Sequence, residues 1–125
     1  MSDNRVSSIK RSQKEAQLFR IISGLLQEAS IDNNVLRGLT ISHVKLSSDK
    51  SMCFVFFYIP EGKEAFKTRL ETLKLFKPSL RKALANRIPG RYVPQIKFIF
   101  DDKLEKQLEV ESLLDKVKKE LADEE

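Results

Sequence analysis

Apolar residues recur along the chain with two different periods, and the change of period separates helices from strands. From Ile9 to Ala29 they return every three or four positions, which predicts an amphipathic helix. Asp32-Asn33-Asn34 and Gly38 are turn residues that end it. Strand-like runs follow at Leu39–Leu46 and Met52–Ile59, and the short polar segment between them predicts an antiparallel hairpin.

The two strands differ in their apolar pattern. In the first, the apolar positions change phase near His43, which predicts a β-bulge there and a packing role for this histidine. The second is apolar on both faces, as in a central strand, and begins with Cys53, which we interpret as an inert buried thiol. We assign its aromatic residues to the core rather than to a base-stacking surface, with Tyr58 as the one candidate for the exposed face.

Helical spacing returns after Pro60-Glu61-Gly62 and is interrupted by Pro78. Because a proline in mid-helix removes a hydrogen bond, we predict two helices that meet near residue 77. Gln95–Phe100 reads as a third strand, and Asp102 is the predicted N-cap of a last helix, with Glu105 as its capping-box partner. One side of that helix is predicted to carry an apolar line of Leu104, Leu108, Leu114, Val117 and Leu121.

The predicted order α-β-β-α-α-β-α describes an α+β fold, in which a three-stranded sheet has helices packed on one face. A chain of 125 residues fits one domain, which we expect to have a core over about residues 9–121, a short N-terminal arm and an acidic C-terminal tail. We expect a monomer, because the predicted apolar faces can cover one another.

Composition argues against most catalytic sites. The chain has one cysteine, one histidine and four widely separated glycines, so it has no internal disulfide, cysteine-rich zinc site or phosphate-binding glycine loop. We therefore expect no enzyme, no catalytic residues, no metal and no cofactor. An enzyme that uses His43 as its base is the least favoured alternative. No apolar run has the length of a membrane span, and no signal peptide opens the chain, so we expect a cytoplasmic protein without membrane contact.

Positive charge is concentrated in the middle of the chain. Residues 62–100 contain 10 basic and 2 acidic side chains, whereas residues 101–125 contain 5 basic and 10 acidic ones. Such a block is typical of a surface that binds phosphates. The alternative is a solvated helix face whose charge is balanced by the acidic tail.

Short motifs along this pattern resemble a known family. The order α-β-β-α-α-β is that of the type II KH domain, a fold associated with nucleic-acid binding, but the GxxG loop of ordinary KH domains is absent here. The stretch Val44–Asp49, Leu80-Arg81, Arg91-x-Val-Pro, then Phe98 and Asp101-Asp102, together resemble the bacterial ribosome-binding factor A family. The similarity runs from about Ile9 to about Leu121. Phe76-Lys77-Pro78 stands where that family has an Ala-x-Gly kink between its two middle helices.

The resemblance implies a non-catalytic assembly factor that binds the free small (30S) ribosomal subunit and 16S rRNA. Such a factor assists late maturation and 16S rRNA 5′-end processing, is often needed for growth in the cold, and has assembly GTPases as further candidate partners. On this basis we expect phosphate contacts from the basic block and from an N-terminal second patch: Lys74, Lys77, Arg81, Lys82, Arg87, Arg91, and Arg5, Lys10, Arg11.

A second function remains open at this point. In a protein-binding adaptor, the amphipathic last helix would dock into a partner's groove and the basic block would face an acidic protein, with no direct contact to rRNA. The two functions can be distinguished with purified rRNA, which an adaptor should not bind.

Overall fold

The computed structural model describes residues 2–88, 90 and 93–124, which form six elements around one sheet. The helices are α1 (Ser2–Asp32), α2 (Lys63–Arg87) and α3 (Asp102–Glu124). The strands are β1 (Thr40–Leu46), β2 (Met52–Tyr58) and β3 (Gln95–Phe100). The predicted α+β fold is confirmed, and each strand lies within one residue of its predicted bounds. No helix in the described part of the chain combines the length and the apolar character that crossing a bilayer requires.

β2 lies in the centre of the sheet, between β1 and β3. β1 and β2 are antiparallel, and their register shifts between Ile41 and His43, which confirms the predicted bulge. The turn between them is closed by Asp49, whose Oδ1 accepts hydrogen bonds from Ser51 and Ser47. These bonds favour the ionised carboxylate and lower the pKa of Asp49 to about 2.

β2 and β3 are parallel, so the chain must cross from one end of the sheet to the other between them. α2 provides this crossover and, with α1, covers one face of the sheet. Alternate residues of β2 point into the core on that face: Cys53, Val55 and Phe57. Burial raises the pKa of the Cys53 thiol to about 12, in keeping with the inert thiol expected from the sequence.

The middle helical segment is one helix, not the two that we predicted. α2 runs without interruption from Lys63 to Arg87 and contains Pro78. Pro78 is exposed, and so is Lys74, whose carbonyl loses its helical donor, so water can hydrogen-bond that carbonyl. Leu73 and Leu80, before and after the proline, are both buried in the core. Their burial, about 1.5–3 kcal/mol for each side chain, offsets the cost of about 3 kcal/mol for an internal proline.

The start of α3 differs from the prediction by one residue. Asp101, and not Asp102, is the N-cap, because its Oδ1 accepts a hydrogen bond from the Leu104 amide at 2.9 Å. Glu105 therefore lies one position beyond the capping-box site, and its amide donates to the Asp101 carbonyl.

The apolar residues of α3 do not form the single line that we predicted. Leu108 and Val117 are nine positions apart, or two and a half turns, and so point in opposite directions. Leu108 lies near Tyr58 and Pro60, at the body of the protein. The other side carries exposed apolar side chains, a set that we call the α3 stripe: Val110, Leu114, Val117 and Leu121. The described part of the chain does not cover this stripe, so the argument for a monomer does not extend to α3.

Candidate nucleic-acid-binding groove

A groove of about 540 Å³ lies between α2 and β3, and three lysines line it. Lys74 and Lys77 come from α2, and Lys97 comes from β3. Leu70, Lys74, Lys77 and Arg81 repeat every three or four residues, so the helix presents all four on the side that faces β3. Ile96 and Phe98, on the inner face of β3, supply an apolar floor.

The lysines of the groove have no acidic partners among the residues that the structure describes. The described residues contain ion pairs at His43, Lys63 and Lys67, and none at Lys74, Lys77 or Lys97. Lys77 instead places its Nζ 5.4 Å from the centre of the Phe98 ring, a cation–π contact that holds the ammonium over the floor. Uncompensated ammonium groups beside an apolar floor can bind phosphates while a base contacts the floor.

Arg81 has a structural role beside the groove. It is half-buried, and its guanidinium Nη2 donates to the Val93 carbonyl at 3.4 Å, on the segment that leads into β3. Its Nε is buried and has no hydrogen-bond partner among the described residues. Arg81 therefore helps to set the position of β3 against α2.

The other predicted contact residues do not gather in this groove. Lys82 and Arg87 are exposed on α2 but do not line it, and Arg91 lies outside the described residues. Of the segment expected to form a kink, Phe76 packs against the core, Lys77 lines the groove and Pro78 is exposed, all within the continuous helix.

The N-terminal second patch is on α1. Arg5 and Lys10 are exposed, and Arg11 is half-buried. One turn after Arg11, the Glu15 carboxylate accepts a hydrogen bond from the Leu46 amide at 2.6 Å. This contact places the patch near the end of the sheet where β1 finishes and β2 and β3 begin.

Sequence reasoning missed the contribution of β3 to the groove. Lys97 belongs to the basic block, but it is twenty residues from Lys77, and no local pattern relates the two. They meet because β2 and β3 are parallel and α2 crosses between them. Recognising residues 52–100 as a parallel β-α-β unit would have predicted that β3 lies beside α2.

His43 lies outside the groove, and 41% of its side chain is accessible. Its Nδ1 lies 3.2 Å from Oδ2 of the buried Asp101, and the Ser42 hydroxyl donates to the same oxygen at 2.6 Å. In a catalytic triad the serine and the aspartate bond opposite nitrogens of the imidazole. Here both lie at Nδ1, so these three residues do not form a triad.

The cluster instead attaches α3 to β1. Burial alone would raise the pKa of Asp101, but hydrogen bonds from Ser42 and the Leu104 amide, together with His43, outweigh burial and lower it below its ordinary value. The ionised carboxylate thus joins the bulge of β1 to the first turn of α3.

Comparison with known proteins gives one family. The sequence model described as "Ribosome-binding factor A" matches residues 10–114. A relative of that name from Methylobacillus flagellatus is 31% identical, with 94% of this chain and 93% of the relative covered. Another, from Mycoplasmopsis pulmonis, is 32% identical over 92% of this chain and 99% of the relative. The crystal structure of ribosome-binding factor A from Thermus thermophilus is similar with a TM-score of 0.61 and 29% identity, over 71% of this chain and 93% of that one.

Proposed function

The chain belongs to the ribosome-binding factor A family, and from this membership and the α2–β3 groove we propose that it binds the free small (30S) ribosomal subunit through 16S rRNA. In this proposal it acts late in maturation of the subunit and favours 16S rRNA 5′-end processing. Assembly GTPases are further partners, and the protein itself carries out no catalytic step.

The single observation that carries the proposal is the set of uncompensated lysines in the groove. Lys74 and Lys77 of α2 and Lys97 of β3 line one groove, Lys97 from the edge of the sheet. Each phosphate that they neutralise releases counterions, so binding depends strongly on salt. Recognition of folded rRNA then rests on shape and backbone contacts more than on base edges.

The proposed mechanism is a shift in population. If the factor binds one arrangement of the immature rRNA more tightly than the others, that arrangement becomes more populated by an amount set by the difference in affinity. Processing enzymes that act on this arrangement then work faster, although the factor makes and breaks no bond.

Co-sedimentation tests the proposal directly. The purified protein is mixed with separated small subunits, large subunits and whole ribosomes, each at low and at moderate salt. We expect selective binding to free small subunits that weakens as salt rises. Equal binding to all three particles would contradict the proposal, because a generic basic protein behaves in that way.

A matched pair of variants tests the groove. Lys74→Glu with Lys77→Glu reverses two charges in it, and Lys116→Glu with Lys119→Glu makes the same change on exposed positions of α3. We expect the first variant to lose small-subunit binding by at least tenfold and the second to keep it. Circular dichroism establishes that both remain folded. If the groove variant binds as the wild type does, the groove is not the site.

The exposed α3 stripe favours the adaptor as a second candidate. Leu114 and Val117 are 63% and 51% exposed, as an amphipathic helix that docks into a partner requires. Leu114→Ser with Val117→Ser separates the two functions. An adaptor loses its partner in this variant and ignores purified rRNA, whereas the assembly factor retains small-subunit binding.

A further inference from the structure

The face of the sheet that turns away from α1 and α2 carries aromatic and basic side chains in register. Lys45 of β1 lies opposite Phe54 of β2, and Phe54 lies beside Lys97 of β3. In the next row, Phe56 lies between His43 and Ile99. We call these two rows the open face.

In the described part of the chain α1 and α2 lie on the other face, and the first turns of α3 come near the open face only beside His43 and Lys45. Phe54 and Phe56 alternate with the buried Val55 and Phe57, and they are half-buried and lie outside the core cluster. Lys45 and Lys97 are exposed. The expectation that Phe54 and Phe56 belong to the core was therefore wrong, because strand residues alternate between faces and only one face is covered.

The chemistry of this face suits unpaired RNA. None of the three strands contains an aspartate or a glutamate, so the charge of the two lysines is not neutralised within the sheet. Unpaired bases stack on aromatic rings, while lysines beside the ring bind the phosphates. A protein partner recognised by charge would offer carboxylates to Lys45 and Lys97, but would leave no reason for an aromatic ring between them.

A flat heteroaromatic ring already stacks on this face. The His43 imidazole lies 4.1 Å from the Phe56 ring, centre to centre, with an angle of 10° between their planes. No described aromatic ring lies on Phe54 in the same way. Phe54, between its two lysines, is thus the ring available to a base.

From these contacts we propose that the open face binds single-stranded RNA, with Phe54 stacking on a base and Lys45 and Lys97 holding the flanking phosphates. Lys97 also lines the α2–β3 groove, so a strand that leaves the groove can pass around the edge of β3 onto this face. The site ends near Tyr58, where Glu105 and Glu109 of α3 introduce negative charge. That this RNA is an unpaired segment of rRNA rests on the proposed function.

Binding of oligouridine tests the proposal, with a blunt-ended RNA duplex as the double-stranded comparison. Fluorescence anisotropy of each labelled RNA is measured with the wild type and with Phe54→Leu, which keeps an apolar side chain but removes the ring. We expect the variant to bind oligouridine about tenfold more weakly and the duplex equally well. Phe54→Tyr, which keeps a ring, restores oligouridine binding. Equal oligouridine affinity of wild type and Phe54→Leu would overturn the proposal.

Photocrosslinking locates the contact without relying on a variant. Oligouridine that contains 5-iodouridine is irradiated with the wild-type protein, and the modified peptide is identified by mass spectrometry. An adduct on residues 52–58 supports the proposal, and adducts confined to α2 overturn it.

The two proposals fail in different ways. A protein that binds oligouridine through Phe54 but does not sediment with small subunits retains the open face as an RNA site and loses the proposed ribosomal function. If instead the wild type sediments with small subunits, and Phe54→Leu binds oligouridine as tightly as the wild type does, the proposed function is retained and the open face is rejected as an RNA site.

Discussion

Phe57, on the covered face of the sheet, is 1% exposed, and its ring centre lies 5.6 Å from those of both Phe66 and Phe98. Phe56, one residue earlier, lies on the open face, where it is half-buried and stacks on His43. The chemistry of the side chain is the same at both positions, but only one of them is surrounded by helices. The covered face therefore supplies stability, and the open face is free to supply binding.

The largest expected effect separates the two faces by their contribution to stability. Phe57→Ala removes a ring that is packed on all sides, and we expect it to lower the free energy of unfolding by about 3–5 kcal/mol. Phe54→Ala, on the open face, should lower it by only about 1 kcal/mol. Urea denaturation followed by circular dichroism measures both.

If Phe57→Ala does not fold, Phe57→Leu provides the comparison, with an expected loss of about 1–2 kcal/mol. Equal losses at positions 54 and 57 would contradict the expected difference between the two faces, because the open face would then be covered in solution.

The next effect concerns Asp101, which connects the bulge of β1 to α3. Asp101→Ala removes the N-cap of α3 and the acceptor of the Ser42 hydroxyl, and we expect a loss of about 2 kcal/mol in unfolding free energy. Asp101→Asn retains a capping oxygen and should lose less. Thermal and urea denaturation of the two variants measure the difference, and equal losses would show that charge, not the cap, is what matters.

A smaller effect follows from the lowered pKa of Asp101. A carboxylate whose pKa is lower in the folded than in the unfolded protein adds stability above its unfolded pKa, near 3.8, and this stability is lost as pH falls through the folded value. We therefore expect the stability difference between wild type and Asp101→Asn to shrink below about pH 4.

His43 also faces the Asp101 carboxylate, and Lys45 and Lys103 line the same pocket. Repeating the pH series in a His43→Gln background isolates the carboxylate. A stability difference that stays constant down to the lowest pH at which the protein is folded would contradict the assignment.

The sequence predicted the elements better than it predicted their surroundings. The strands were found because β-type runs bounded by turn residues are local signals. The two faces of β2 were not distinguished, because all of its residues are apolar or aromatic and hydrophobicity alone does not say which face a helix covers. In α3, by contrast, the spacing of nine positions does separate Leu108 from Val117, and the predicted single apolar line did not take it into account.

Two further differences between prediction and structure arose from tertiary contacts, which local sequence signals do not contain. Pro78 is a valid local signal for a helix end, but the burial of Leu73 and Leu80 on either side keeps the helix continuous. In the groove, Lys74 and Lys77 were predicted from the basic block. Lys97 was not, because only the parallel pairing of β2 and β3 brings it to α2.

The smallest expected effect on stability is at the lysines of the open face, where an effect on RNA binding can be separated from an effect on stability. Lys45→Gln with Lys97→Gln should change the unfolding free energy by no more than about 0.5 kcal/mol for each substitution, because both side chains are exposed and unpaired among the described residues. Two lost contacts to single-strand phosphates should reduce the slope of log K against log salt by about 1.4. Oligouridine titrations at several salt concentrations measure that slope, with Lys116→Gln and Lys119→Gln as the control. An unchanged slope would mean that these lysines do not bind phosphates, whereas a lower slope at unchanged stability would show that the open face acts in binding alone.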